Sequence, residues 1–293
     1  MKRHCGRSLA FLGACSWVFA QGITPRRGQL ERRYREGERL VYRMKAANEG
    51  RRYEALATGV VKTDATGAWI EEFAWSNVIS KSAPVSLPPA SVDFRQVLSL
   101  DQRKAPAIPN LAVVHPILIG PITDLLTFYS DLWLAARIGT LNKPGDHAYQ
   151  EVGRPASWAD GRYVVLGEDS IDFDITLTQV DVAREVATLL VRHVPPKKPQ
   201  VKLPAMWMRG AVADTPNNWV NVTRNAEKYV AEVGKETFDV QLTVSLSDGK
   251  ILSGNIENPV KAQARDCPDA SLTNCGVPRP HEILRQIEIS SIR

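Results

Sequence analysis

The sequence lacks the short motifs by which common enzyme classes are identified. It has no Gly-x-Ser-x-Gly, no glycine-rich phosphate loop, no His-Glu-x-x-His and no Gly-x-Gly-x-x-Gly. Histidine is scarce as well, and the four histidines beyond the N-terminal segment are scattered: His115, His147, His193 and His281. We therefore predict no catalytic residue, no metal site and no cofactor. A hydrolase site that assembles only in the folded chain stays open as an alternative.

The chain also has no strong excess of positive or negative charge. The formal net charge is +5, and three of the basic residues lie within the first seven positions. The rest of the chain is therefore close to neutral, and its charge does not predict a nucleic-acid partner. One local cluster stands out: Arg26, Arg27, Arg32, Arg33, Arg35 and Arg39. We interpret residues 21–36 as a basic, solvated N-terminal arm, with contact to anionic lipid head groups as the alternative.

The first twenty residues are typical of an export signal. Basic residues precede a mostly apolar run, Ser8–Phe19, and the run ends at Ala20. This run is shorter than the roughly 20 apolar residues that a membrane-spanning helix needs. We expect residues 1–20 to be a signal peptide cleaved after Ala20, and the mature protein to be periplasmic or secreted. Because Leu12–Cys15 resembles a lipobox, lipidation at Cys15 is the alternative.

Only two cysteines, Cys267 and Cys275, remain beyond the N-terminal segment. A zinc site needs four ligands, and neither a Cys-x-x-Cys motif nor a nearby pair of histidines supplies them. A redox-active pair usually has two residues between its cysteines, whereas seven separate this pair. Two cysteines this close in an exported chain predict one disulfide that closes a small, turn-rich loop.

From residue 37 onward, apolar and polar residues alternate with the period of two that is typical of strands. Leu40, Tyr42 and Met44 begin the pattern, and an isoleucine-rich run ends it at the C terminus. Turn residues separate the runs, most clearly at Ser247–Lys250. We predict a mainly β (α+β) fold, with a large curved antiparallel sheet or incomplete barrel packed around one apolar helix. Residues 37–293 would then form a single β-rich domain.

That helix is predicted at Pro121–Ile138. Proline suits the first position of a helix, and apolar residues recur at helical spacing on nearly every side. A helix that is apolar all round is buried in a protein core. Because Asp124 and Asp131 interrupt the apolar run, we predict no transmembrane span in the mature chain.

Aromatic and large apolar side chains of the strands and the helix suggest a binding site. A curved sheet could use them to line a cavity for an apolar ligand, since ligand pockets are mostly apolar with few polar groups. The alternative is that they only fill the core. The candidate ligand-binding residues are Trp69, Phe73, Leu125, Tyr129, Trp133 and Phe173.

The segment Tyr34–Tyr42 contains the pattern Gly-Glu-x-Leu-x-Tyr from Gly37 onward. Together with the long strands and the apolar helix, it resembles the lipoprotein-carrier-like group of bacterial envelope proteins. It is also similar to uncharacterised envelope families with the same opening. The resemblance implies a curved, incomplete barrel that is covered by helices and holds acyl chains. It transfers no binding residue to this chain.

These observations predict an exported, non-enzymatic protein that binds an apolar ligand, such as a lipid or an acyl chain, in the cell envelope. A structural or assembly protein of the envelope is the second hypothesis, in which exposed strand edges pair with a partner protein. The hydrolase with a spatially assembled site is the third.

Overall fold

The alternating runs of the sequence form strands in the computed structural model, which describes residues 30–48, 51–104, 106–151, 172–194, 205–213, 217–225 and 228–292. The predicted signal peptide and the first part of the basic arm lie outside these residues. The strands are β1 Arg39–Asn48, β2 Arg51–Thr63, β3 Trp69–Ser80, β4 Ala83–Pro84, β5 Gln96–Ser99, β6 His147–Gln150, β7 Asp172–Asp181, β8 Val186–Val194, β9 Trp219–Asn225, β10 Lys228–Glu236, β11 Phe238–Ser245, β12 Ile251–Cys267 and β13 Arg279–Ile292. The helices are α1 Pro89–Val92 and α2 Pro116–Ile138, with 3-10 turns at Leu111–Val113 and Met206–Arg209.

Within the described residues these thirteen strands form one antiparallel sheet. Its main path runs β4-β3-β2-β1-β13-β12-β11-β8-β7-β6, so the last strand joins the first to the rest. The sheet is open, since in the described chain β6 pairs only with β7, and β4 and β5 pair only with β3. The predicted class, a mainly β fold with a large antiparallel sheet and one apolar helix, is confirmed.

The sheet divides into two branches at the long strand β12. Its first half pairs with β11, and its second half pairs with β10, which in turn pairs with β9. A second, smaller apolar cluster lies on this branch, around Met208, Val233 and Leu272. The predicted disulfide between Cys267 and Cys275 is present there and closes the loop at the end of β12. A disulfide is consistent with an oxidising, exported environment.

Helix α2 begins five residues earlier than the sequence predicts. The His115 ring caps it, because Nδ1 accepts a hydrogen bond from the backbone N–H of Ile117 at 3.3 Å, and Pro116 takes the first helical position. Pro121 therefore lies inside the helix, where it cannot donate to the carbonyl of Ile117. The predicted start was wrong because two prolines five residues apart both suit a first turn, and only the cap distinguishes them.

Fifteen of the 23 residues of α2 are buried against one face of the sheet. Gly254 of β12 makes room for Phe128: a Cβ atom at Gly254 would lie 3.0 Å from the Phe128 ring and 2.9 Å from a Leu242 methyl group. By length and composition alone α2 could cross a membrane, but 72% of its most apolar window is buried inside the protein. This burial is what a core helix shows.

Residues 30–38, which we call the strap, cross the sheet end where β2 ends and β3 begins. The backbone N–H of Arg33 donates to the Asp248 carbonyl, and that of Gly37 donates to the Val61 carbonyl, both at 2.8 Å. Gly249, with φ of +69°, lets the strap approach the β11–β12 turn, since any side chain there would collide with the backbone of the strap. Arg32 is only 6% exposed. The interpretation of this segment as a solvated arm is therefore wrong for Arg32.

Candidate functional site at the helix–sheet interface

The structure brings together four of the six side chains that the sequence predicts to bind a ligand. Tyr129 of α2 lies 5.9 Å from Phe73 of β3 and 5.5 Å from Trp133, measured between ring centroids. Leu125 is buried in the same core. Trp69 and Phe173 are partly buried against the same core, but their ring contacts are with other residues.

The two remaining side chains have other neighbours. Trp69 begins β3 and contacts Tyr34 of the strap, with ring centroids 5.0 Å apart. Phe173 lies near the start of β7 and contacts the ring of His193 at 4.7 Å. Trp69 lies on β3 and Phe173 on β7, two strands near opposite ends of the strand order. Both side chains pack against the same core as the other four, and the binding of one ligand by all six stays a prediction.

Tyr42, Phe73, Tyr129 and Trp133 form what we call the aromatic cluster. Tyr42 of β1 lies 6.2 Å from Phe73 and 6.4 Å from Tyr129. All four side chains are buried, and Tyr129 meets each of the other three rings edge-on. In the described structure these rings pack against one another as part of the core.

A carboxyl group is buried beside this cluster. The Tyr129 hydroxyl donates to Glu71 Oε2 at 2.7 Å, and Glu71 is fully buried. Gly59 on β2 leaves the space that Glu71 and Phe73 occupy, since a Cβ atom there would lie 2.8 Å from Glu71 Oε1. Burial raises the pKa of Glu71 to about 7, although the Tyr129 hydrogen bond and the positive charge of Arg32 act in the opposite direction.

Sequence reasoning missed Glu71. A signal for it exists, because positions 71, 73 and 75 of β3 alternate inward and the first of them is ionisable. An ionisable residue at an inward strand position is unusual, since burying a charge is costly.

Several buried polar atoms near the aromatic cluster have no hydrogen-bond partner. In the described chain these are Glu71 Oε1, Trp75 Nε1, Gln96 Oε1 and Trp133 Nε1. Each of these residues adjoins or belongs to the aromatic cluster: Glu71 and Trp75 lie two positions on either side of Phe73 on β3, Gln96 pairs with Phe73 across the strands, and Trp133 contacts Tyr129. An unpaired buried polar atom costs about 1–3 kcal/mol. Four of them around one helix–strand contact require a physical explanation.

Asp124, a buried acidic residue of α2, binds side chains of β2 and β13. The Tyr53 hydroxyl donates to Asp124 Oδ2 at 2.6 Å, and the Arg285 guanidinium forms an ion pair with Asp124 Oδ1. Burial raises the pKa of Asp124, against the effects of Arg285 and Tyr53. These contacts fix the N-terminal half of the helix to β2 and β13.

A histidine–carboxylate pair involves Asp131, which lies two helical turns after Asp124. His193 Nε2 lies 3.0 Å from Asp131 Oδ2, and the His193 ring stacks on Phe238 with centroids 4.3 Å apart. Within the described residues Nδ1 of His193 has no hydrogen-bond partner. A buried carboxylate on one ring nitrogen and a free second nitrogen is the arrangement that orients a general base. Sequence spacing could not find this pair, because 62 positions separate its members.

The outer face of the sheet carries a groove of about 780 Å³. Amide and hydroxyl side chains line much of it, including Gln241, Asn255 and Gln286. Its lining is polar, in contrast to the apolar interface around α2.

No group of three or more His, Cys, Asp or Glu side chains suited to a metal ion occurs among the described residues. Comparison of the chain with protein-family models and with curated proteins found no match.

Proposed function

We propose that this protein binds an apolar ligand, a lipid or an acyl chain, between α2 and the inner face of the sheet. The observation that carries the proposal is the concentration of unpartnered polar atoms around the aromatic cluster. Ligand sites for apolar molecules combine an apolar lining with a few polar groups that orient the ligand. The interface of α2 with β3 and β5 has this composition.

The unpartnered atoms are two donors and two acceptors. Trp133 Nε1 and Trp75 Nε1 can each donate a hydrogen bond, and Glu71 Oε1 and Gln96 Oε1 can each accept one. An amphiphile with a small polar part would satisfy them, whereas a pure hydrocarbon would not. Because the rings are packed against one another, binding requires α2 and β3 to move apart.

The cellular setting of the proposal is the bacterial envelope. The predicted signal peptide lies outside the described residues, and the disulfide is consistent with an oxidising compartment. Cleavage after Ala20 gives a free periplasmic or secreted protein, whereas lipidation at Cys15 gives an anchored one. The intact mass of the exported protein distinguishes the two.

Binding is tested with the purified, exported protein. We expect native mass spectrometry with organic extraction to find copurified acyl species, and a fluorescent fatty-acid analogue to bind at micromolar concentration. Trp133→Phe keeps an aromatic ring at this position but removes the unpartnered indole N–H, so it should change the affinity severalfold. Trp219→Phe, on the branch strand β9, is the matched control and should bind as the wild type does.

The binding proposal fails if the folded wild type copurifies with no lipid and binds no analogue. It also fails if Trp133→Phe and Trp219→Phe have the same effect on affinity, since the aromatic cluster would then not be the site.

A hydrolase is the second candidate, and the His193–Asp131 pair is the observation that favours it. With Nδ1 free, His193 could take a proton from water that attacks an ester carbonyl. Turnover of p-nitrophenyl esters should then be lost in His193→Gln. His147→Gln is the matched control, because His147 pairs with Asp174 at 2.6 Å at an exposed position. Equal turnover in the two variants would rule this candidate out.

A further inference from the structure

The side chain of Arg32, in the strap, is buried. Its guanidinium lies 3.1 Å from Glu38 Oε2, and its backbone N–H donates to Gln102 Oε1 at 2.9 Å. Burial disfavours the charge of Arg32, but Glu71, Tyr129 and the hydrogen-bonded Glu38 act in the opposite direction, so the pKa of Arg32 is raised. Gly37 of the strap donates to the Val61 carbonyl, and Val61 pairs with Glu71 across β2 and β3. The strap thus lies beside the buried carboxyl group of the candidate site.

A chain of alternating charges continues from Arg32 to the β11–β12 turn. Glu38 accepts from Arg32 and also forms an ion pair with Lys250. Lys250 in turn lies 2.8 Å from Asp248, whose carbonyl accepts the N–H of Arg33. The strap is therefore tied to this turn at Arg33 by a backbone hydrogen bond and at Glu38 by an ion pair.

We propose that the strap is a gate over the aromatic cluster and that Arg32 holds this gate shut. The inference rests on the proposed function, because it describes how an apolar ligand reaches the interface of α2 and β3. A ligand that enters beside Glu71 would displace the strap first and the helix only afterwards.

The strap is the part of the enclosure that opens at least cost. Moving α2 as a whole breaks the Asp124–Arg285 and Asp131–His193 contacts and exposes fifteen buried residues. Undocking the strap separates no strand from its neighbour in the sheet path. Its apolar contacts with the core are few, chiefly Leu30 and Tyr34. Segments with few buried apolar contacts open locally at low free energy.

The test uses three variants of the full exported chain. Arg32→Met keeps an unbranched apolar stem and removes the guanidinium with its charge. Gly37→Ala leaves every charge in place and weakens docking only through the backbone, because Gly37 has φ of +74° and a Cβ atom there meets nothing within 4 Å. Arg35→Met is the matched control, since Arg35 belongs to the same strap and is exposed.

Two quantities are measured for each variant: hydrogen-exchange protection of the Arg33 and Gly37 amides, and the association rate of a fluorescent fatty-acid analogue. We expect both amides of Arg32→Met to lose at least tenfold in protection, and its association rate to rise by a similar factor. Gly37→Ala should shift both quantities in the same direction by a smaller factor, and Arg35→Met should match the wild type.

Other results overturn the inference in distinguishable ways. Lower protection with an unchanged association rate means that the strap opens but is not the gate, while ligand binding stands. Unchanged protection in Arg32→Met and Gly37→Ala means that Arg32 does not hold the strap. If the analogue binds none of the proteins, wild type included, the proposed function itself fails, and the gate fails with it.

Discussion

Glu71 is the residue that most distinguishes this interior from an ordinary core. It lies on β3 among aromatic rings, one of its oxygens accepts from Tyr129, and the other has no partner in the described structure. A carboxyl group in such a place stabilises the fold only while it is protonated, because burial disfavours its charged form.

The pH dependence of stability follows from this burial. The folded-state pKa of Glu71 is raised from 4.5 to about 7, so the native protein holds this proton more tightly than the unfolded chain does. The free energy of unfolding should therefore fall as pH rises from 4.5 to about 7, by roughly 3 kcal/mol at 1.36 kcal/mol per pKa unit. Glu71→Gln keeps the acceptor for Tyr129 and should abolish this fall.

Urea unfolding at pH 5 and pH 8 measures the effect as the difference between wild type and variant. Glu72→Gln is the control, since Glu72 is the next residue on β3 but pairs with Lys62 at the surface, at 2.7 Å. A wild-type-to-Glu71→Gln difference that stays constant between the two pH values would contradict the prediction.

At the scale of the element, α2 is seated by shape as well as by polarity. Its Phe128 ring fits against β12 where Gly254 has no side chain, and the same glycine contacts Leu242 of β11. The missing side chain at Gly254 therefore lets the helix pack closely against the sheet.

Gly254→Ala tests this seating. The added methyl group would lie 2.9 Å from the carbonyl oxygen of Gln241 and 3.0 Å from the Phe128 ring, so strands or helix must shift. We expect a loss of about 1–3 kcal/mol in the free energy of unfolding, the usual cost of overpacking a core. Gly210→Ala should change stability little, because its nearest neighbour would be at 3.5 Å, an ordinary contact. Equal stability of the two variants would show that α2 is loosely seated.

At the scale of the whole molecule, one sheet carries two apolar clusters. The larger surrounds α2, and the smaller lies on the branch of β9, β10 and the second half of β12. The disulfide belongs to the smaller cluster, where Trp207 also donates its indole N–H to the Leu272 carbonyl at 2.8 Å. The covalent link therefore lies in the branch and not beside α2.

Reduction of the disulfide should affect the branch first. A loop closed by cysteines eight positions apart contributes about 2.5 kcal/mol by chain-entropy estimates. In Cys267→Ser/Cys275→Ser, hydrogen exchange should therefore accelerate in β9 and β10 before it does so in β1 or β2. Labelling of the denatured, unreduced mature protein should find no free thiol at these positions; two reactive thiols would refute the bond, and uniform acceleration would refute the separate stability of the branch.

The sequence by itself determined the strands, the buried helix and the cysteine pair. These depend on local periodicity and spacing: Leu40, Tyr42 and Met44 alternate inward in β1 as the pattern predicts, and Ser247–Lys250 makes the turn between β11 and β12. Even the error at the start of α2 is local, since Pro116 and Pro121 compete and the His115 cap decides between them.

Only the tertiary structure decided which residues meet. Periodicity tells which face of a strand is buried but not which residues of other elements that face meets, so it predicted neither the contact of Trp69 with Tyr34 nor that of Phe173 with His193. The contacts of Glu71 with Tyr129 and of Asp131 with His193 join positions 58 and 62 residues apart. Such pairs depend on strand order and helix placement, which the free energy of the whole core selects and no local stretch of sequence encodes.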